Sequence, residues 1–213
     1  MRFTHLRLVG IGIFLVIFLV VLGGCLGKGT QEPTKYYLLQ PLASSLTGEQ
    51  QTGAKNVGFS IGVGPVRMRE YLDRPQIVTR SGENEIHIGL FHSWAEPLGG
   101  NFSSTLTHNL SILLETDRLA LWPWDRKLEH VDYQIIVDVI RFDGVLGGEA
   151  VLIARWYVFS YKEGMKTEEI IPKKSTFTAA VEGDSYEALV AAMSKTLEDF
   201  SREVAEAIKA RAQ

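Results

Sequence analysis

The chain has 213 residues, of which 46% are hydrophobic, so it is long enough and apolar enough for one domain with a substantial core. There are 22 lysines and arginines against 25 aspartates and glutamates, and the formal net charge at pH 7 is −3. This acidic balance excludes a nucleic-acid-binding function, which needs a clustered basic surface. The single cysteine excludes an internal disulfide.

The chain begins with the pattern of a secretory signal. Arg2 and Arg7 flank a short polar start, and an uncharged apolar run follows from Leu8 to Leu22. As a helix this run would span about 22 Å, whereas a transmembrane helix must cross roughly 30 Å of hydrocarbon. A basic start with a short apolar run is typical of a signal peptide. We therefore predict a removable signal peptide over residues 1–24.

Gly23 and Gly24 stand directly before Cys25. This stretch resembles the bacterial lipobox, and the resemblance implies that the Cys25 thiol carries diacylglycerol and that the new amino terminus is acylated, for example with palmitate. Three acyl chains exceed the two signals that stable anchoring requires, so the chain would be tethered to a membrane without spanning it. Because Leu26 follows the cysteine instead of aspartate, the resemblance implies export to the outer membrane. The alternative is a buried free cysteine at the end of an uncleaved helix.

Residues 25–34 contain glycines, a proline and polar residues without periodicity, which predicts a short flexible tether. The folded domain is predicted over residues 35–213. Its first elements are a strand at 35–40, a polar loop at 42–56, and a strand at 57–66 whose alternation of apolar residues with glycine and serine leaves one face thinly covered.

Between residues 94 and 116 the period changes, because leucine and phenylalanine recur every three or four residues. This pattern predicts an amphipathic helix with its apolar stripe on the core. Residues 132–144 and 149–164 are predicted to form two long strands of a hairpin. A further strand is predicted at 175–181.

Asp184, with Glu187 three residues later, indicates the start of the last helix. Apolar residues then recur at helical spacing from Tyr186 to Ile208. Strands, a helix, more strands and a terminal helix predict an α/β fold, with a single domain in which two long amphipathic helices pack on a mixed β-sheet.

The common catalytic and metal-binding patterns are missing from the sequence. His87 and His92 are five residues apart, which places them on opposite faces of a strand. Ser104 and His108 could approach each other on a helix, but no orienting acid stands at an obvious position. The glycine pattern at residues 62–64 lacks the third glycine of a dinucleotide-binding turn. We therefore predict a protein that is not an enzyme, with no metal and no cofactor besides the lipid on Cys25.

Two irregular segments, residues 67–80 and 91–102, mix aromatic, proline and charged residues. Surface loops of this kind often carry binding, and tyrosine, tryptophan and arginine dominate interface hot spots. If the aromatic side chains face outward, they should form a docking surface. The predicted partner-binding residues are Tyr71, Leu72, Arg80 and Trp94.

Four separated motifs follow one another along the chain: YLDRPQIVTR at 71–80, WAEPL at 94–98, HNLS at 108–111, and RFDG…GG…W at 141–156. In this order, and over about residues 35–210, the chain resembles the ABC-type transport auxiliary lipoproteins of the PqiC/YmbA kind. One departure is Arg69, where the family commonly has proline.

The resemblance implies a non-catalytic lipoprotein on the periplasmic face of the outer membrane. Its partners would be an MCE-domain protein that bridges the periplasm and the inner-membrane components of a lipid transporter, and its role would be to dock that bridge and support envelope integrity. Two alternatives stay open. A lipid-binding lipoprotein would need an enclosed apolar cavity of hundreds of cubic ångströms, and an envelope hydrolase would need a nucleophile within hydrogen-bond reach of a base. A homo-oligomer is also open.

Overall fold

The computed structural model describes residues 32–42, 58–121, 131–162, 165–169 and 172–212. The predicted signal peptide, Cys25, most of the tether and most of the predicted polar loop lie outside these residues. From Thr34 onward the chain forms one compact unit. None of the described helices is both long enough and apolar enough to cross a membrane.

Within the described ranges, nine strands and two helices follow one another in an α/β arrangement. This confirms the predicted fold class, a mixed β-sheet with two long helices. In chain order the elements are β1 Lys35–Tyr37, β2 Ile61–Arg67, β3 Gln76–Arg80, β4 Ile86–Trp94, α1 Leu98–Leu114, β5 Leu119–Leu121, β6 Tyr133–Gly144, β7 Glu149–Lys162, β8 Met165–Glu169, β9 Lys173–Ala180 and α2 Tyr186–Ala212.

The hairpin of β6 and β7 is the centre of the sheet, and its antiparallel pairing confirms the prediction for this region. On its other side β6 pairs in parallel with β2 and, at Gly144, with β3. The outer side of β7 pairs with β8 and β9. At the far end of the sheet β4 follows β3, and the short β1 lies parallel to β4. The sheet is therefore mixed, with β1 and β4 at one edge and β9 at the other.

The two helices bury apolar stripes of the predicted period. In α1 the five stripe residues are at most 3% exposed, and in α2 Phe200 is completely buried. The Phe200 ring meets the rings of Phe102 and Trp156 at centroid distances of 6.2 and 6.1 Å. Aromatic contacts of this kind add to the free energy of area burial, so this cluster joins both helices to the sheet. The α1 stripe consists of Leu98, Phe102, Leu106, Leu110 and Leu114.

Two local predictions need correction. Gly62 and Gly64 of β2 are buried, so the prediction of a thinly covered face was wrong. The strand is flanked by β5 and β6, and the buried Gln134 side chain donates to the Gly64 carbonyl oxygen at 2.9 Å. The second correction concerns α2, which begins one residue later than predicted, because Ser185 Oγ accepts the Ala188 N–H at 3.1 Å.

The segment after β1, residues 38–42, is called the strap. Residues 38–40 of the strap were predicted as the end of a strand, but β1 ends at Tyr37 because the backbone N–H groups of the strap point to helix side chains instead of to β4. Side chains from both helices therefore fix this segment. The hydrogen bonds run from the Leu39 N–H to Asn101 Oδ1 at 2.8 Å, from the Gln40 N–H to Ser194 Oγ at 3.0 Å, and from the Leu42 N–H to Asn109 Oδ1 at 2.7 Å.

Candidate functional site

A buried carboxylate, Asp143, gathers polar side chains from β3, β6 and the loop before β3. The Asp143 side chain is 0% exposed. Arg80 Nε and Arg141 Nε both donate to its Oδ1, at 2.9 and 2.8 Å, while the Tyr71 hydroxyl donates to its Oδ2 at 2.8 Å. Bonds from cationic donors to a carboxylate are stronger than neutral hydrogen bonds. These four residues are called the Asp143 cluster.

The sheet positions this cluster. Thr79 of β3 is the register partner of Gly144 in β6, which places Arg80 beside Asp143. Gly144 itself allows a close approach: a Cβ atom there would lie 2.6 Å from the Glu149 carbonyl oxygen. Real contacts are not that short, so the RFDG sequence needs its glycine for packing against the hairpin.

The electrostatics of the cluster favour a fixed protonation state. Burial, which is the largest cause, and the hydrogen bond to the Asp143 carboxylate together raise the pKa of Tyr71 to about 12, while Arg80 opposes the shift. The hydrogen bond to Asp143 also raises the pKa of Arg80. At neutral pH Tyr71 is therefore a neutral phenol that donates to Asp143, and both oxygens of Asp143 accept hydrogen bonds within the cluster.

The structure separates the four predicted partner-binding residues. Tyr71 and Arg80 meet at Asp143, whereas Leu72 and Trp94 lie in the core with exposures of 2% and 5%. The condition that Tyr71 and Trp94 face outward is not met, because Tyr71 is half-buried and turns toward the Asp143 carboxylate and the Trp94 side chain lies in the core. A role of the four residues in partner binding stays a prediction.

The two irregular segments nevertheless come together. Residues 73–75 and 94–97 line an open cavity of about 330 Å³. Arg74 Nε is buried at this place without a hydrogen-bond partner. The sequence could indicate that each segment is unusual, but only the pairing of β3 with β4 places them side by side.

No group of three or more histidine, cysteine, aspartate or glutamate side chains that could hold a metal occurs in the part of the chain that the structure describes. His92 instead stacks on Tyr186 with a ring distance of 3.8 Å and hydrogen-bonds the Tyr37 hydroxyl through Nδ1 at 2.7 Å. Ser104 and His108 are both exposed on α1. These positions give the histidines packing and surface roles.

An open groove of about 1030 Å³ runs along the strap and the first turns of α2. Its lining mixes Tyr36, Leu38 and Tyr186 with the charged Lys35, Asp184 and Glu187. The lipid-carrying alternative requires an enclosed apolar cavity, whereas this groove is open and its lining includes charged side chains.

The sheet edge formed by β1, the strap and β4 exposes large hydrophobic side chains. Of this surface the sequence pattern singled out only Phe91, which lies in the irregular segment 91–102, and it assigned residues 36 and 38 to a strand. Side chains of a strand project above and below the sheet, and these are exposed because the helices pack mainly on other strands: α1 packs on β2 and β5, and α2 packs on β6, β7 and β9. The residues of this apolar edge, with their exposed fractions, are Tyr36 (68%), Leu38 (42%), Ile86 (38%), Ile88 (41%), Leu90 (79%) and Phe91 (38%).

Comparison with known proteins gives a family and a fold. A family model described as ABC-type transport auxiliary lipoprotein component matches residues 37–205. One similar solved structure, of an uncharacterized protein, is 21% identical, has a TM-score of 0.65, and covers 83% of this chain and 99% of that one. Another, a Xanthomonas campestris protein of the DUF330 family, is 15% identical, has a TM-score of 0.62, and covers 81% and 93%. No curated protein sequence matches the chain. At these identities the structures show a shared fold.

Proposed function

The chain belongs to the family of ABC-type transport auxiliary lipoproteins, and on that premise we propose that it is a non-catalytic lipoprotein anchored through Cys25 to the periplasmic face of the outer membrane. There it docks or supports an MCE-type intermembrane lipid transport system and so contributes to envelope integrity. Its partners are an MCE-domain protein and inner-membrane transporter components, and copies of the chain can associate with one another. The family match over residues 37–205 carries this proposal.

The geometry of the Asp143 cluster supports a scaffold role. A catalytic carboxylate needs an oxygen that can reach substrate, whereas both oxygens of Asp143 accept hydrogen bonds from Tyr71, Arg80 or Arg141. The cluster also ties β3 to β6 and to the preceding loop. Its arrangement suits a rigid domain that presents surfaces to partners.

The lining of the groove along the strap supports a docking role for this chain more than a role in which the chain itself carries lipid. Its lining includes Lys35, Asp184 and Glu187, and charged groups are costly beside acyl chains. A hydrophobic lipid tail would find little enclosure there.

The anchor is tested by Cys25→Ser in cells fed labelled palmitate, followed by membrane fractionation. Wild type should take up label and sediment with the outer membrane, whereas the variant should do neither, because Cys25 is the only thiol. Lys28→Ala, a change in the predicted tether, is the matched control and should behave like wild type. If Cys25→Ser keeps both the label and the outer-membrane location, the anchor proposal is wrong.

The partner is tested by co-purification of the tagged lipoprotein with the MCE-domain protein of the same cells after mild detergent extraction. The MCE-domain protein should be recovered with wild type and at lower yield with Cys25→Ser, since loss of the anchor removes the chain from the membrane that the bridge approaches. Failure to recover that protein with wild type, even after chemical crosslinking, would contradict the docking role.

A further inference from the structure

The apolar edge is larger than scattered surface hydrophobics require. Single exposed apolar residues are normal on a protein surface, but a contiguous group marks an interaction site. Here six large side chains share one end of the sheet, and Tyr36 and Leu90 are 68% and 79% exposed. We therefore expect another molecule or a membrane surface to cover the apolar edge.

The position of the apolar edge relative to the predicted anchor at Cys25 limits which partner or surface can cover it. Glu32, the first described residue, follows Cys25 by seven residues, so even a fully extended chain between them spans at most about 25 Å. The apolar edge begins at Tyr36, four residues after Glu32. An acylated Cys25 would thus keep this edge close to the bilayer surface at a high effective concentration.

The position of the first residues of the domain, β1 and the strap, is also fixed. Hydrogen bonds to Asn101, Ser194 and Asn109 pin the strap to both helices, and β1 is paired with β4. The folded domain consequently begins at one defined place, beside Tyr36 and Leu38.

The side chains of the edge match the chemistry of a membrane interface. Tyrosine is enriched at the level of lipid headgroups, and the apolar face of an interfacial element, typically with phenylalanine and leucine, enters roughly 5–10 Å into the boundary between headgroups and acyl chains. The exposed Glu83, Glu85 and Asp184 stand beside β4 or the groove. Their carboxylates repel anionic lipid, so the complementary surface is a zwitterionic one.

We propose that the apolar edge is a membrane-contacting face, which lies on a zwitterionic phospholipid surface and sets the orientation of the domain on the bilayer. The inference rests on the proposed acylation of Cys25. A partner protein or a second copy that pairs with the open side of β4 is the alternative occupant, and the experiment separates it from lipid.

The test uses the full acylated lipoprotein in vesicles of phosphatidylethanolamine with a minor share of phosphatidylglycerol. Because Cys25 is blocked by its lipid, each introduced cysteine is the only free thiol. Leu90→Cys and Tyr36→Cys place a polarity-sensitive fluorophore on the edge, and Thr176→Cys, exposed on β9 at the opposite end of the sheet, is the matched control.

Fluorophores at residues 36 and 90 should shift to the blue and be quenched severalfold more by nitroxide-labelled lipid than the fluorophore at residue 176. Raising the phosphatidylglycerol share should weaken that quenching, because of Glu83 and Glu85. Equal quenching at residues 90 and 176 would overturn the proposal. Shielding of residue 90 from both lipid nitroxide and aqueous iodide would overturn it in favour of a protein occupant.

Failure of the anchor is visible separately. Wild type should take up no thiol label and should float with the vesicles, since its single cysteine is acylated. If wild type takes up thiol label or does not float with the vesicles, the anchor proposal is wrong, whatever the result at the apolar edge. Circular dichroism of the three variants checks that their folds match wild type, as expected for substitutions at exposed positions.

Discussion

The Asp143 cluster, on β3, β6 and the loop before β3, and the apolar edge, on β1, the strap and β4, are neighbouring regions of the sheet in which polar side chains are buried and apolar ones exposed. The cluster buries a carboxylate between guanidinium groups, whereas the edge exposes Ile88 and Leu90. The difference comes from position in the sheet. Strand β3 lies between β4 and β6, but the outer side of β4 is covered only where β1 pairs with residues 92–94.

The comparison teaches that residue type is a weaker guide to exposure than the elements that pack on and beside a position. A covered position buries polar side chains as long as they satisfy one another, and a sparsely covered position exposes apolar ones even when they belong to a strand. Substitutions in the Asp143 cluster and at the exposed residues of the apolar edge should therefore differ sharply in their effect on the free energy of unfolding.

The largest effect is expected for Asp143→Ala. Removing the carboxylate leaves Arg80 and Arg141 without their shared acceptor, and the loss of one partner of a buried ion pair costs about 3–5 kcal/mol. Both guanidinium groups are partly solvated, with side chains 19% and 29% exposed, so the lower end is expected. Urea denaturation measures the change.

The matched control is Asp138→Ala, which removes the other aspartate of β6. Its pair with Arg67 is 3.4 Å long, with side chains 33% and 69% exposed. Exposed pairs contribute at most about 1 kcal/mol. Equal losses for the two variants would show that burial does not distinguish these carboxylates.

An effect of about the same size is expected for Trp94→Ala, which empties a buried site in the core. Such truncations cost about 3 kcal/mol or more, so the isolated domain should melt at a lower temperature, and Trp94→Phe should recover part of the loss. A thermal melt followed by circular dichroism gives the answer. If Trp94→Ala keeps its stability but loses partner binding, the docking role predicted for Trp94 is right and the packing role is wrong.

A smaller effect is expected for Tyr71→Phe, which removes one hydrogen bond to a charged group at a cost of about 1.5 kcal/mol. The Tyr71 pKa is raised from 10.0 to about 12. Between these pH values the unfolded chain releases a phenol proton that the native protein keeps, so native stability falls as the pH rises.

This pH dependence supplies its own control. Stability of wild type should decline more steeply than that of Tyr71→Phe between about pH 10 and 12, because only wild type carries this titrating phenol. Below about pH 10 the two curves should run parallel. Curves that stay parallel up to pH 12 would mean that the hydroxyl does not bind Asp143 in solution.

The smallest effect on stability is expected for Leu90→Glu, since the side chain is 79% exposed. Surface substitutions of this kind usually change the free energy of unfolding by less than about 0.5 kcal/mol. Contact of the edge with vesicles should nevertheless weaken, because a carboxylate resists entry into the interface. A large loss of stability would place Leu90 in a packed contact.

Several features of this protein follow from the sequence alone. The periods of α1 and α2, the long strands of the hairpin and the resemblance to auxiliary lipoproteins depend on local pattern, and the structure and family match confirm them. The same patterns place Cys25 in a lipobox, which stays a prediction.

Other features required the tertiary structure. The sequence marks Tyr71, Arg80 and Trp94 as unusual but cannot tell whether they face a partner or Asp143 and the core. It also cannot show that Leu90 is exposed or that Asn101 and Asn109 hold the strap. Periodicity reports which face of an element is apolar, whereas exposure depends on which distant segments pack against that face, and those contacts exist only once the sheet has formed.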